Sequence, residues 1–256
     1  MQTNPLEILA YCLSRTINDN EIVYVGTGLP LVGALLAKAT HAPNSTLVYE
    51  SGAQDPLFEG KMPWSVACPW TYYKAPIILD MPNSFGQCAA GYVDLGFLGG
   101  AQIDKYGNVN TTLIGTYEEP KVRLTGSGGG NDLASLSDRS VLVGLQTKEK
   151  FPEKVDFITS PGFLNGGDER EKLDLFGQGP WRVITQLGVY GFDDETKRMK
   201  AISLHPGITK DIVDMCTGFE IIISDDITET EMPDETTINI LRNKVDPFGV
   251  FTKMPL

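Results

Sequence analysis

The fold is decided between residues 21 and 50, which read EIVYVGTGLPLVGALLAKATHAPNSTLVYE. Residues 22–25 form a short β-rich run that meets a glycine turn, and an apolar helical stretch begins near Pro30. After a short loop, residues 46–49 form a second apolar run of strand length. Because a strand, a crossover helix and a second strand make a βαβ unit, the two strands are expected to be parallel. The stretch therefore predicts an α/β fold, with a single open, mostly parallel sheet and flanking helices.

The chain before this unit begins with a helix signal. Asn4, Pro5 and Glu7 have the characters of an N-cap, a proline at the first helical position and a first-turn acid. The apolar residues that follow repeat at helical spacing, so residues 5–17 predict an amphipathic helix.

Strand and helix patterns also alternate through the rest of the chain. Strands are predicted at 93–98, which ends at Gly99-Gly100, and at 121–124, 141–145, 155–159, 183–184 and 219–224. Residues 189–204 predict a hairpin, and two helices are predicted at 209–215 and 235–245. No low-complexity linker or internal repeat interrupts the alternation, so we expect one domain over residues 1–256.

The composition excludes several classes of protein. With 41% hydrophobic and 21% charged residues, the 256-residue chain is typical of a globular domain and not of a disordered one. A formal net charge of −12 argues against a nucleic-acid or anionic-membrane partner. The beginning of the sequence lacks a basic signal-peptide region, and no run has the length of a membrane span. We therefore expect a cytoplasmic protein.

The cysteine and histidine content argues against a metal site. The chain has two histidines and four scattered cysteines without a C-x-x-C pair, so neither a zinc site nor a disulfide framework is expected. His41 and His205 both lie beside loop residues, and no serine or cysteine stands next to either of them. We interpret both histidines as structural, since no nucleophilic triad is apparent.

Glu50 is the first residue that suggests chemistry. It stands where the apolar run 46–49 gives way to a turn that contains Gly52. In open parallel sheets, ligands bind outside the carboxyl ends of the strands. A carboxylate at that position is therefore either a site residue or a structural one, an N-cap or an exposed loop acid, and position alone leaves these readings open.

Two glycine clusters separate a strand from a helix. Gly26, Thr27 and Gly28 leave backbone N–H groups able to point at an anion, although they lack the third glycine of a dinucleotide fingerprint. Residues 126–132 read GSGGGND, without the lysine of a nucleotide-hydrolysing P-loop. Three consecutive glycines permit close approach of a ligand, and the alternative is a flexible surface turn.

A third segment, residues 99–110, combines glycines with amide side chains. Its members Gln102 and Asn110 are able to polarise a carbonyl group, or the segment merely builds an Asx turn around Tyr106-Gly107. The segment alone does not choose between these roles.

The order of these motifs resembles a known family. The chain carries VGTGLPLVGA, YESGAQD, GFLGGAQIDKYGNVNTTLIG, KVRLTGSGGGND, FITSPGF and DDETKRM, in that order. This series, from about Glu21 to Asp246-Pro247, is similar to the β subunits of the family I CoA-transferases. Residues 55–92, rich in Trp, Tyr and Pro, match no motif of the family and are a candidate lining of the acyl pocket.

The resemblance implies a set of site residues. It assigns Glu50 as the nucleophile of covalent CoA transfer and the backbone N–H groups of Gly128 and Gly129 as oxyanion donors. It implies no metal and no tightly bound cofactor, with a coenzyme A thioester as the substrate, for which glutaconyl-CoA or another dicarboxylic acyl-CoA is the nearest inference. Contacts to this substrate are expected from Gly26, Thr27, Gly28, Gly99, Gly100, Gln102, Asn110 and Gly126.

The resemblance also implies a partner. In this family two homologous subunits meet at the active site, so an α subunit is expected to complete the enzyme as a hetero-oligomer. Some relatives on this fold are acyl-CoA hydrolases, ring-opening enzymes or decarboxylases that tend to lack the glutamate, and Glu50 favours transfer. A non-catalytic ligand-binding module is the remaining alternative, disfavoured by the absence of a DNA-binding extension.

Overall fold

The computed structural model describes residues 3–253 and shows a mostly parallel mixed sheet with flanking helices, as predicted. The strands are β1 (Ile22–Tyr24), β2 (Thr46–Val48), β3 (Ala53–Gln54), β4 (Ile77–Ile78), β5 (Leu95–Gly99), β6 (Gln102–Ile103), β7 (Val109–Asn110), β8 (Leu113–Gly115), β9 (Pro120–Arg123), β10 (Arg139–Val143), β11 (Gly179–Ile184), β12 (Gly188–Phe192), β13 (Met199–Leu204) and β14 (Thr228–Glu229). The helices are α1 (Pro5–Ser14), α2 (Leu29–Ala39), α3 (Met81–Ala89), α4 (Gly130–Leu136), α5 (Glu169–Lys172), α6 (Lys210–Cys216) and α7 (Glu235–Ile240), with a 3-10 turn at Pro69–Tyr72 and a π turn at Leu241–Val245.

The chain divides into two compact units. Unit 1 combines Met1–Phe97 with Glu231–Leu256, and unit 2 is Leu98–Thr230. The sequence predicts that the whole chain folds cooperatively as one domain, and this stays a prediction.

The βαβ prediction is confirmed in unit 1. Strand β1 pairs in parallel with β2 and with β5, and α2 is the crossover helix. Strands β3 and β4 then extend the sheet in antiparallel pairs, which makes β4 its edge.

The first helix of unit 1 is bonded to the π turn that follows α7. Asn4 and Glu7 form the capping box of α1, and the Glu7 carboxylate accepts a 2.6 Å bond from the Nε of Arg242. The pKa of Glu7 lies below its ordinary value because the bonds from Arg242 and Asn4 outweigh the effect of burial. The apolar cluster beneath this pair joins α1 and α2 to the C-terminal segment through Ala10, Val32, Leu36, Ile238, Leu241 and Val245.

Unit 2 carries the second group of strands. Strands β10 and β11 are parallel, β11, β12 and β13 are antiparallel neighbours, and β14 is parallel to β13. The hairpin predicted over residues 189–204 is confirmed as β12 and β13, and the side chain of Thr209 caps α6. Two small antiparallel pairs, β6 with β7 and β8 with β9, stand apart from this sheet.

Two predicted strands are wrong. Residues 155–159 form no strand, because the backbone N–H groups of Thr159 and Ser160 both donate to the carbonyl of Val109, so the segment meets β7 at a single bridge. Residues 219–224 likewise make one bridge, between Ile222 and Lys200. Both segments have strand composition, but neither runs alongside a partner strand.

Candidate active site

Glu50 lies in the hairpin turn between β2 and β3. The turn is closed by a 2.8 Å bond from the N–H of Gly52 to the carbonyl of Tyr49 and a 2.9 Å bond from the N–H of Tyr49 to the carbonyl of Ala53. Gly52 has a φ of +95°, and a Cβ atom there would stand 1.9 Å from the carbonyl oxygen of Leu79. Only glycine therefore fits this turn. The Glu50 side chain is half-buried, and the hydrogen bonds of this turn define the position of its backbone.

Residues Gly26, Thr27 and Gly28 lie at the same edge of the sheet as Glu50. Strands β1 and β2 are parallel and in register, with Tyr24 opposite Val48, and the N–H of Val25 donates to the carbonyl of Val48 at 2.9 Å. The segments that follow β1 and β2 therefore both leave the sheet at its carboxyl edge, where ligands bind in open parallel sheets. Gly28 caps α2 with a φ of +90°, and a Cβ atom at Gly26 would meet nothing within 4 Å.

Part of the unmatched segment 55–92 packs against the Glu50 turn. The hydroxyl of Tyr72, in the 3-10 turn, lies 3.5 Å from the carbonyl oxygen of Ser51, and the ring of Phe58 contacts that of Tyr49. Burial, with a contribution from the Asp55 carboxylate, raises the pKa of Tyr49. The sequence analysis missed Tyr72 and Phe58, since aromatic richness was the only signal that this segment gave.

The glycines of unit 2 form a connected loop system. The N–H of Gly126 donates to the carbonyl of Thr111, and α4 begins directly after Gly129. A Cβ atom at Gly100 would lie 2.3 Å from a methyl carbon of Val109 and 3.0 Å from the carbonyl oxygen of Asn110. Gly99 ends β5 immediately before this contact. The structure therefore brings Gly99, Gly100, Asn110 and Gly126 close together through the Asn110–Thr111 backbone.

The amide side chains of Gln102 and Asn110 are occupied within the chain. Asn110 Nδ2 donates to the Gln102 Oε1 at 2.7 Å and to the carbonyl of Leu113 at 2.6 Å, while its Oδ1 accepts from the N–H groups of Thr112 and Leu113. Gln102 additionally holds Asp156 through two bonds. Both amides are buried and stabilise the turn after β7. Their contact with a substrate stays a prediction.

A buried carboxylate that the sequence analysis did not single out builds the neighbouring turn. Asp104 Oδ1 accepts bonds from the backbone N–H groups of Tyr106 and Asn108 and from the Asn108 side chain. Burial raises the pKa of Asp104 despite these bonds. The sequence left open an Asx turn around Tyr106-Gly107 built by asparagine or glutamine; the structure has this turn, but Asp104 builds it.

Both histidines have structural partners, as predicted. His205 lies between the hydroxyl of Thr230 and the carbonyl of Thr185, at 2.9 Å and 3.0 Å. His41 bridges the Thr40 hydroxyl and the carbonyl of Ile17. Within residues 3–253, no cluster of three or more acidic, histidine or cysteine side chains is arranged to hold a metal ion. None of the helices over the same range is long and apolar enough to cross a membrane.

Comparison with known proteins fixes the family. A family model of coenzyme A transferases matches residues 80–214. The chain is also 37% identical to a subunit of glutaconate CoA-transferase from Acidaminococcus fermentans, over 97% of this chain and 95% of the relative. The chain belongs to the coenzyme A transferase family. The family resemblance stated from the motifs is thereby confirmed.

Other members of the coenzyme A transferase family agree. A subunit of 3-oxoadipate CoA-transferase from Pseudomonas knackmussii is 35% identical, over 92% of this chain and 91% of the relative. The crystal structure of glutaconate coenzyme A-transferase from Acidaminococcus fermentans superposes with a TM-score of 0.91, at 35% identity and with 99% of each chain covered. The predicted fold class is confirmed, and members of the family use CoA thioesters as substrates.

Proposed function

We propose that this chain is the nucleophile-bearing subunit of a heteromeric CoA-transferase, which moves CoA between an acyl-CoA and an acceptor carboxylate through a thioester on Glu50. One observation carries the proposal. Glu50 stands on a glycine-specified turn at the carboxyl edge of two parallel strands, beside the Gly26–Gly28 loop, in a chain of the CoA-transferase family.

The reaction begins with attack of a Glu50 carboxylate oxygen on the thioester carbonyl of the donor. The carbon–sulfur bond breaks, giving an acyl–glutamyl anhydride and CoA thiolate. The thiolate then attacks the Glu50 carbonyl of the anhydride, the carbon–oxygen bond breaks, and the first acid leaves as its carboxylate. The product is a glutamyl-CoA thioester, and no net proton has moved.

The acceptor acid runs the same steps in reverse. Its carboxylate oxygen attacks the glutamyl thioester, expels CoA thiolate and forms a second anhydride. The thiolate attacks the acceptor carbonyl, which releases the new acyl-CoA and restores the Glu50 carboxylate. Water must be kept from both covalent intermediates, because hydrolysis of either one ends the transfer.

Each tetrahedral intermediate carries an oxyanion that requires fixed hydrogen-bond donors. The family resemblance supports the N–H groups of Gly128 and Gly129 in this role. Gly128 has a positive φ of +47°, a conformation that suits glycine, and α4 begins directly after Gly129. Gly26, Thr27 and Gly28 are assigned to the wall of the site around Glu50, and Gly99, Gly100 and Gly126 to substrate contact.

The partner and substrate follow from the relatives. The two similar proteins are each named as one subunit of a CoA-transferase, so an α-like subunit is proposed to complete the active enzyme. The relatives act on glutaconate and 3-oxoadipate according to their names, so a dicarboxylic acyl-CoA, such as glutaconyl-CoA, is the proposed substrate class.

The test is the covalent adduct. The complex with its α-like partner, incubated with acyl-CoA and no acceptor, is expected to carry CoA on Glu50. Hydroxylamine should release this CoA, and borohydride should reduce the thioester to an alcohol that peptide mapping locates. With an added acid, CoA should appear on that acid. An adduct on another residue overturns the mechanism, and free CoA without transfer identifies a hydrolase instead.

A further inference from the structure

Arg123 is an exposed cation on the arm formed by β8 and β9. It stands opposite Leu113 in that pair, three residues before Gly126. The N–H of Leu124 donates to the carbonyl of Thr112, and the N–H of Gly126 to that of Thr111. The arm therefore continues directly into the glycine loop.

The guanidinium group of Arg123 is positioned but not neutralised. Its Nη2 donates to the carbonyl of Tyr117 at 3.1 Å, and the group lies 5.0 Å from the centre of the Tyr117 ring. The Tyr117 ring in turn stacks on Phe157, with centroids 5.9 Å apart. Among the described residues, Arg123 forms no ion pair with a carboxylate.

Two cavities of unit 2 meet at this arginine. One, of about 580 Å³, is lined by Gly100, Thr111 and Arg123, and the other, of about 430 Å³, by Arg123 with Ser127 and Asn131. Arg123 therefore lies between the Gly99–Gly100 turn and the glycine loop.

We propose that Arg123 binds an anionic group of the acyl-CoA substrate, either a phosphate of CoA or the free carboxylate of a dicarboxylic acyl group. The inference rests on the proposed function, which supplies the anion. A planar guanidinium donates two parallel bonds to either group, and its prior orientation by Tyr117 reduces the entropy lost on binding. Arg123 takes no part in bond making, so it acts on binding and not on the chemical step.

The experiment measures CoA exchange by the complete complex with Arg123→Ala and with Lys121→Ala as the matched control. Lys121 is a cation on the same strand that lines neither cavity. Arg123→Ala is expected to raise the KM for acyl-CoA at least about tenfold, the size expected for loss of a charge-assisted bond, with little change in kcat. Arg123→Lys should restore part of the affinity, and Lys121→Ala should behave as the wild type.

Two further thioesters, compared with the dicarboxylic acyl-CoA, separate the sources of the anion. If the 3′-phosphate is bound, the effect of Arg123→Ala disappears with a 3′-dephospho-CoA thioester. If the acyl carboxylate is bound, it disappears with a monocarboxylic thioester of the same length, and an effect that persists with both assigns the pyrophosphate. A wild-type KM for Arg123→Ala with all substrates overturns the inference. Absence of exchange in the wild-type complex would refute the proposed function instead, and calorimetric titration with CoA and glutarate would then still test Arg123.

Discussion

The chemistry proposed for this chain depends on the position of a single carboxylate. Glu50 belongs to a turn whose backbone is fixed by the bonds of Tyr49 and Gly52, so the side chain starts from a defined point. The length of the side chain then determines whether the carboxylate oxygen contacts the thioester carbon. A misplacement on the order of 1 Å can cost ~10²-fold in rate. Charge and length of this residue are therefore separable requirements.

Two substitutions separate them. Glu50→Gln keeps the shape and removes the nucleophilic oxygen anion, so both exchange and the CoA adduct should be lost. Glu50→Asp keeps the charge and withdraws it by one methylene, so kcat should fall ~10²-fold while the KM for acyl-CoA stays near the wild-type value. Steady-state exchange with the partner subunit present measures both.

The control for this pair is Glu231→Gln, which changes an exposed acid of the same unit outside residues 55–92. It should retain wild-type exchange, since an exposed surface substitution usually changes the free energy of unfolding by no more than ~0.5 kcal/mol. Equal activity of wild type, Glu50→Gln and Glu50→Asp would show that Glu50 is an ordinary surface acid.

At the scale of elements, the β2–β3 hairpin is stabilised by hydrogen bonds to residues outside the hairpin. The N–H of Leu79 donates to the carbonyl of Gly52 at 2.9 Å, and Ala53 pairs with Ile78 of β4. The close approach of Leu79 to Gly52 thus connects the turn to the edge strand. A side chain at Gly52 would push the two backbones apart.

We expect Gly52→Ala to destabilise the protein. A positive φ costs an alanine roughly 1–2 kcal/mol, and displacement of the Leu79 carbonyl adds to this. For a chain of this size, each kcal/mol lowers the midpoint of thermal unfolding by about 2–4 °C. Scanning calorimetry should show a fall of several degrees, with a larger loss of exchange than of secondary structure, because the Glu50 turn is displaced.

Gly86→Ala is the matched control. Gly86 lies within α3 of the same unit, and a Cβ atom there meets nothing within 4 Å. Alanine is a better helix former than glycine by about 1 kcal/mol, so this variant should unfold at the same or a higher temperature. A Gly52→Ala protein as stable as Gly86→Ala would contradict the steric argument.

The sequence predicts these elements unequally, for physical reasons. Periodicity and the punctuation by glycine and proline predict the β1–α2–β2 unit, because a crossover helix between two apolar runs has few alternatives. The strand predictions at residues 155–159 and 219–224 are wrong because strand composition does not indicate whether a partner strand lies alongside. In the candidate site, local pattern selects Glu50 and the glycines as candidates without deciding their roles, whereas Tyr72 contacts Ser51 across 21 positions and leaves no local signal.

At the scale of the whole molecule, charge is the governing problem. The chain carries −12 and its proposed substrate is also polyanionic, so the long-range field opposes binding. The positive charge of Arg123 is proposed to offset this repulsion locally, and further cations are expected from the partner subunit. Without its proposed partner, the chain is therefore expected to bind and react poorly.

We expect the purified chain to show little or no exchange alone and to gain it on mixing with the α-like partner. Activity against partner concentration should saturate when all copies of the chain are paired. A mixture containing Glu50→Gln should stay inactive, which would show that the restored activity depends on this chain and not on the partner alone. Full turnover by the lone chain would contradict the heteromeric proposal.

The ion pair between Glu7 and Arg242 has a further consequence, for the order in which the molecule is made. Its two residues stand 235 positions apart, and the apolar cluster beneath them needs α7 and the π turn. Unit 2 is contiguous, so all its residues are synthesised while unit 1 still lacks its last segment. Synthesis at about 5–20 residues per second leaves α1 and α2 without that covering for roughly 10–40 s, the time needed to make the residues between α2 and the π turn. During that interval the apolar faces of α1 and α2 lack the cover that Ile238, Leu241 and Val245 give them in the folded protein.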